Sequence, residues 1–331
     1  MKIATVTLNP AIDQTVMVEN FTPNAVNRAQ SLQLDAGGKG VNVASFLADY
    51  GLSVAVTGFL GKDNPQVFEQ HFARKRIDDR FVRIPGLTRT GIKVVDQTRR
   101  QTTDINLPGL TPSEAELDRL HETINELAID HDCFVLAGKL PPGVPDTIYA
   151  DLIRRLKTQG KRIVLDTSQA ALHEGVQAGP TIVKPNIDEL QQLVDRSLND
   201  LAEIEAAAKQ LLKNGIRLVV VSMGERGALF VDRQNALLAV PPQVEVQSTV
   251  GAGDAMVAGL IAGQTAALSL AECAKLATAF SVGTITRIGA HLPPLDVLES
   301  YRQHVTVQPL IDGALPSKDT NQPSLTGMNV S

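Results

Sequence analysis

At 331 residues, with 43% hydrophobic content and 25 glycines, the chain can bury one large core and suits one large unit better than two independent ones. Its formal charge of -5, without long basic runs, argues against nucleic acid as the main ligand, because binding a phosphate backbone takes a cationic face. Residues 1–11 lack the cationic start and apolar stretch of a signal peptide, and no segment supplies the ~20 apolar residues of a membrane helix, so a soluble, cytoplasmic protein with no membrane partner is expected.

Taken from the N-terminus, residues 2–8 read as a buried strand. Residues 13–35 alternate like strands with polar faces. A helix at 40–50, a strand at 54–59 and a helix at 65–76 follow. Residues 90–106 alternate again, and the two alternating segments are read as pairing into a small separate sheet, a lid. Helices at 113–128, 146–158 and 201–214 interleave with strands at 133–137, 162–165, 181–183 and 218–222. That alternation predicts an α/β fold, with a mostly parallel central sheet covered by helices on both faces. Beyond Ser222 the pattern turns antiparallel, with strands at 228–232 and 236–240 around a short polar turn. Residues 252–264 and 270–286 are nearly uniformly apolar, which at this length means helices inside the core. Residues 312–331, rich in Pro, Ser, Asn and Gly, are expected to be a disordered tail to a single unit spanning 1–310. Cys133 and Cys273 fit neither a redox nor a metal spacing and read as reduced core residues; the six histidines likewise show no ligand spacing.

Chemistry concentrates in two glycine-rich strings. Ser248-Thr249-Val250-Gly251-Ala252-Gly253-Asp254 stands between a strand-like segment and a buried helix. Glycines allow a tight turn at the helix start, where the amides of Ala252, Gly253 and Asp254 can face one anion and the helix dipole favours negative charge. Asp254, in the first turn, can accept a proton from an attacking hydroxyl. Taken alone, the string is equally a glycine-rich helix start with an Asp favouring the dipole. In Gly37-Gly38-Lys39-Gly40-Val41-Asn42, Lys39 can meet a phosphate and Asn42 can bond sugar hydroxyls, unless the string is merely a turn with an exposed lysine. Neither string has Walker spacing or the dinucleotide fingerprint.

These strings occur in order with Thr7-Leu8-Asn9-Pro10-Ala11-Ile12-Asp13, Gly58-Phe59-Leu60-Gly61, Leu140-Pro141-Pro142-Gly143-Val144, Lys184-Pro185-Asn186 with Glu189, and Ser222 with Gly224 and Gly227. Together they make the chain resemble the ribokinase-like (PfkB-type) sugar kinases, most of all the 1-phosphofructokinase branch, from Met1 to about Leu310. The resemblance implies Asp254 as catalytic base with Gly251, Ala252 and Gly253 as anion hole. It implies Asp13, Gly38, Lys39, Asn42, Arg89, Lys93 and Asn106 around the sugar phosphate. It assigns Lys184, Asn186, Ser222, Gly224, Gly227, Ser248 and Thr249 to ATP, and Glu189 with Asn186 to magnesium through water. Gly91 and Lys139 depart from the Asn and Ser common in the family.

The implied reaction is transfer of the ATP γ-phosphoryl group to the C6 hydroxyl of fructose 1-phosphate. Potassium dependence and a homodimer joined through the lid are further family traits. Fructose 6-phosphate or tagatose 6-phosphate are alternative acceptors, because the motifs fix a phosphate site without fixing the ring. A non-catalytic sugar-phosphate sensor would not need Asp254, the anion hole and the Asn186/Glu189 pair together, and a neutral nucleoside suits Lys39, Arg89 and Lys93 less well.

Overall fold

A computed structural model describes residues 1–99, 101–287 and 289–310, and the expected tail at 312–331 lies outside them. From β1 (Ile3–Thr7) the chain passes Asn9 and Pro10 into β2 (Ala11–Val18), returns as β3 (Ala29–Gly37) and enters α1 (Lys39–Asp49). Next come β4 (Val54–Gly61), α2 (Gln66–Lys75), the short strands β5 (Asp78–Asp79) and β6 (Val82–Ile84), then β7 (Thr90–Asp96) and β8 (Gln101–Asn106). α3 (Glu114–Asp130), β9 (Cys133–Ala137), α4 (Ile148–Thr158), β10 (Arg162–Asp166), α5 (Gln169–Gln177) and β11 (Ile182–Val183) carry the alternation onward. α6 (Ile187–Val194), α7 (Leu201–Leu212) and β12 (Leu218–Ser222) lead to the hairpin β13 (Ala228–Val231) and β14 (Ala236–Val240). The described chain closes with α8 (Ala252–Thr265), α9 (Leu270–Ile285), α10 (Leu295–His304) and β15 (Thr306–Pro309).

Among the described residues the main sheet has 11 strands, ordered β15-β14-β13-β12-β11-β10-β9-β1-β4-β5, with β6 beside β4. From β4 to β12 every pairing is parallel, and β12 to β15 pair antiparallel, as the change of pattern after Ser222 predicts. Parallel strands buried on both faces read as near-continuous apolar runs, and β1, β4 and β9 are buried at every residue, threonines included. Their side chains alternate between two cores. Ala4, Val6, Phe134 and Leu136 face Leu120 of α3, Leu152 of α4, Leu172 of α5 and Leu211 of α7. Ile3, Cys133 and Val135 face Phe46 of α1, Phe72 of α2, Leu260 of α8 and Phe280 of α9. The result is three layers.

A second sheet of four strands, ordered β3-β2-β7-β8, stands apart from the first. Both expected segments contribute to it, each as one antiparallel pair, and β2 runs parallel to β7 where they meet. Polar alternation shows here as exposure, since β8 is exposed at every residue. The two cysteines are free and buried, and burial pushes the Cys133 thiol up to about 12 and Cys273 up to about 11, which keeps both as thiols. No described helix is long and apolar enough to cross a membrane.

Candidate active site

Parallel α/β sheets gather their ligands beyond the carboxyl ends of the strands. Here the ends of β1, β9, β10, β11 and β12 deliver Asn9, Gly138, Asp166, Lys184 and Ser222 to one rim. Across from that rim, α8 begins. Its N-cap, Gly251, has φ 82, a left-handed conformation open to glycine, and no side chain caps the helix. The first intrahelical bond runs from Ala255 N to Gly251 O at 2.8 Å, so the amides before it have no intrahelical partner. Ala252 N leans on Thr249 O at 3.4 Å, which leaves Gly253 and Asp254 as the amides best placed to receive an anion. The buried Lys184 adds a charge there: its ammonium lies 3.2 Å from where a Cβ on Gly253 would sit.

Asp254 follows in the first turn and is 6% exposed. The Asn42 side-chain amide donates to its Oδ2 at 2.8 Å, and the Lys39 ammonium stands 3.9 Å from its Oδ1. Burial pushes the Asp254 carboxyl up to about 6; Lys39, Asn42 and Lys184 pull it down, and neighbouring Asp166 pushes it further up. A base that is buried yet still ionised near neutral pH is what hydroxyl deprotonation requires.

Asp166 is the candidate site residue that motif reading misses. It ends β10 with 0% exposure, and its Oδ1 accepts from Lys39 at 2.9 Å and stands 3.5 Å from Lys184. Burial opposes its charge, but the two lysines outweigh burial and hold its pKa below the usual carboxylate range. The available signal is the lone carboxylate closing an otherwise apolar buried strand, a place where parallel sheets carry sites. For Lys39 too, burial opposes charge, and Asp166 and then Asp254 overcome it and lift its pKa above the ordinary lysine value.

The remaining residues expected around a sugar phosphate gather at the four-stranded sheet. Lys93 on β7 pairs with Asp13 on β2 at 2.9 Å. Arg89 donates from Nε to Asn9 Oδ1 at 2.9 Å and from Nη1 to Asn106 Oδ1 at 3.4 Å. Asp13, Asn42, Lys93, Ser248 and Gly251 line a common cleft between that sheet and the start of α8. Gly38, with φ 118, makes the turn that starts α1. Gly91 leaves room for the base of this cleft, since a Cβ there would come within 2.8 Å of Asp13 Oδ1. Lys139, exposed just past β9, follows Gly138, whose carbonyl accepts from Tyr149 at 3.1 Å and Thr167 at 2.9 Å.

On the other side, Asn186 and Glu189 form a reciprocal cap at the start of α6. Glu189 N donates to Asn186 Oδ1 at 2.8 Å and Asn186 N to Glu189 Oε2 at 2.9 Å. Asn186 bridges to Ser222 in parallel register, and Gly224 and Gly227, both at positive φ, turn the chain from β12 into β13. Thr249 is exposed beside Ser248, whose Oγ accepts from Val250 N at 3.3 Å. The rim therefore has a buried carboxylate beside a helix start that no side chain caps, a sheet bearing two cations on one side and a glycine-turned shelf on the other.

A model of the pfkB family carbohydrate kinases matches residues 6–297. A 1-phosphofructokinase from Rhodobacter capsulatus is 49% identical over 311 residues, 94% of this chain and 98% of its own length. The 1-phosphofructokinase of Escherichia coli is 36% identical over 308 residues, 93% of this chain and 98% of its own. Phosphofructokinase-2 from Escherichia coli, solved with substrates and products, superposes with a TM-score of 0.87 at 31% identity, over 92% of this chain and 99% of that one. Further structures of that enzyme hold potassium or show a tetrameric inhibited form. Motif order, layered fold and rim geometry all point the same way as these likenesses, and the chain belongs to the pfkB family of carbohydrate kinases.

Proposed function

We propose that this kinase transfers the γ-phosphoryl group of ATP to the C6 hydroxyl of fructose 1-phosphate, yielding fructose 1,6-bisphosphate and ADP. The observation that carries the reading is the buried Asp254 beside an uncapped helix start, with the 1-phosphofructokinases at 39–49% identity as its context. Asp254 takes the C6 proton as the hydroxyl attacks, while the amides of Gly253 and Asp254 and the Lys184 ammonium accept charge on the phosphates. Arg89, oriented by Asn9 and Asn106, and Lys93 meet the acceptor's phosphate at the far end. When Lys93 turns to that phosphate, Asp13 is released to accept bonds from sugar hydroxyls. ATP lies along the shelf of Asn186, Ser222, Gly224 and Gly227, with Ser248 and Thr249 nearby.

Magnesium suits the same shelf. Glu189 spends only Oε2 in the cap, which leaves Oε1 for a water of a hydrated cation. Among the described residues there is no group of three or more His, Cys, Asp or Glu side chains that could hold a metal ion. When bound, magnesium neutralises charge on the β- and γ-phosphates. Potassium dependence is carried only by the likeness to phosphofructokinase-2 from Escherichia coli, which has been solved with potassium, and kinase rates in potassium against sodium salts test it.

The four-stranded sheet acts as a lid to a single kinase unit over residues 1–310, excluding water as a competing acceptor. Two copies join through that sheet: β3 is an edge strand, and Leu32 and Leu34, two apart and 59% and 46% exposed, give it an apolar stripe. A Leu34→Asp chain should then sediment at half the mass of the wild type. The cytoplasm, where ATP and sugar phosphates occur, is the place of action.

The decisive assay is ADP release with magnesium, ATP and either fructose 1-phosphate, fructose 6-phosphate or tagatose 6-phosphate, with Asp254→Asn as control. Preference for fructose 1-phosphate, lost in the variant, supports substrate and base. Preference for a 6-phosphate reassigns the acceptor to the kind of sugar found with phosphofructokinase-2 from Escherichia coli, which has been solved with fructose-6-phosphate. Turnover with none revives the sensor.

A further inference from the structure

Lys39 stands where a ligand of the acceptor's own phosphate would be out of place. The cations of the small sheet are engaged at that end of the cleft, Lys93 with Asp13 and Arg89 with Asn9 and Asn106. Lys39 instead joins the reacting end, 2.9 Å from Asp166 Oδ1 and 3.9 Å from Asp254 Oδ1. Lys184 reaches the same Asp166 oxygen from the nucleotide side at 3.5 Å. Two ammonium groups thus flank one fully buried carboxylate, with the helix start of α8 beside them.

Reaction geometry fixes what lies between them. A hydroxyl giving its proton to Asp254 sits roughly 2.6–3.2 Å from that carboxylate. The phosphorus it attacks lies about 3–3.5 Å beyond the hydroxyl oxygen in a near-attack arrangement. An ammonium 3.9 Å from the same carboxylate is within reach of the oxygens carried by that phosphorus. The Lys39 side chain is 37% exposed, so it is open to a ligand, whereas Asp166 at 0% is a fixed anchor.

We propose that Lys39 is a catalytic cation that contacts a non-bridging oxygen of the phosphoryl group in flight, with Asp166 as its positioning residue. The inference rests on the sugar-phosphate kinase reading above and refines its chemistry. The hydroxyl oxygen forms the new P–O bond and its proton goes to Asp254. The bond between the γ-phosphorus and the β–γ bridging oxygen breaks, and its electron pair leaves with ADP. Lys39 keeps its proton throughout, and its charge opposes the negative charge spreading over the transferring oxygens. Asp166 stops the lysine from collapsing onto Asp254, where an ion pair would blunt the base.

The test compares Lys39→Met, Lys39→Arg and Asp166→Asn with Arg89→Met in the full-length chain, reading kcat, both KM values and the pH profile of kcat/KM. Lys39→Met should lower kcat on the order of 10²–10³-fold, the scale of one lost transition-state contact, and leave the acceptor KM within about threefold. Its acid limb should move to higher pH, because Asp254 loses a neighbouring positive charge; in Asp166→Asn the limb should move to lower pH while kcat falls. Arg89→Met should do the reverse and raise chiefly the acceptor KM. Lys39→Arg, which keeps the charge and guards against a folding defect in the methionine variant, should recover part of kcat. Retained kcat with a tenfold higher acceptor KM in Lys39→Met would overturn the proposal and return Lys39 to the acceptor's phosphate. If the wild type transfers to no phosphoketose at all, the underlying kinase reading fails instead.

Discussion

A carboxyl pushed up to about 6 gives the candidate base a titration inside the working range of most buffers. The reactive form is the carboxylate, so kcat/KM should fall tenfold per pH unit on the acid side of about 6 and level off above it. A pH profile in which the acid limb lies near 4 would mean that Asp254 is solvated in the working enzyme. Asp254→Asn should lower kcat by about 10²–10⁴-fold with little change in the melting temperature, since asparagine keeps the shape and can still pair with Asn42. Arg89 has a different place: its guanidinium is oriented by two asparagines, and Arg89→Met should raise the acceptor KM by about tenfold while ATP affinity holds. Isothermal titration with each substrate separates the two effects.

Helices α8 and α9 pack so closely that a side chain at Gly259 would press backbone, its Cβ lying 2.7 Å from the Cα of Ala277. Gly259→Val should therefore cost about 1–3 kcal/mol by overpacking, read as a lower urea midpoint with an unchanged slope. The tight contact also reaches the candidate site, because Ser281 of α9 donates to Ala252 O at 2.7 Å and so holds the start of α8. How much of this was legible in the chain differs from element to element. Strands β9, β12 and β14 have the bounds that their short apolar runs predict, since Gly, Pro or polar residues frame each one. α5 escapes notice: it is short and contains Gly175, which is there because Leu165 of β10 presses on it, a constraint visible only once the sheet exists. β15 ends in Pro309 and owes its pairing to β14, some 70 residues earlier in the sequence, so no local pattern marks it. The glycine strings could be read because backbone geometry is local. Asp166 could not, since its partner Lys39 lies 127 positions away.

For the molecule as a whole, the small sheet is the least buried part of the site, with β8 exposed at every residue and held only through β7. Amide exchange in β8 should slow when ATP and acceptor bind together and change little with ATP alone, because Arg89 and Lys93 bring the acceptor to that sheet. Equal protection with either ligand would mean that the sheet does not close on the acceptor. One feature of that sheet reaches beyond this enzyme. β2 departs and β3 returns at a single register pair, Ala11 opposite Gly37, so the excursion begins and ends at the same point. Whatever occupies the tip between those residues can be lengthened, shortened or exchanged without altering the spacing from Asn9 to Lys39. The hairpin is in effect a cartridge: recombination at its two necks would exchange Asp13 and the outer edge of the small sheet while Arg89, Lys93 and Asn106 stay with β7 and β8, so a graft isolates what the hairpin alone adds to acceptor choice.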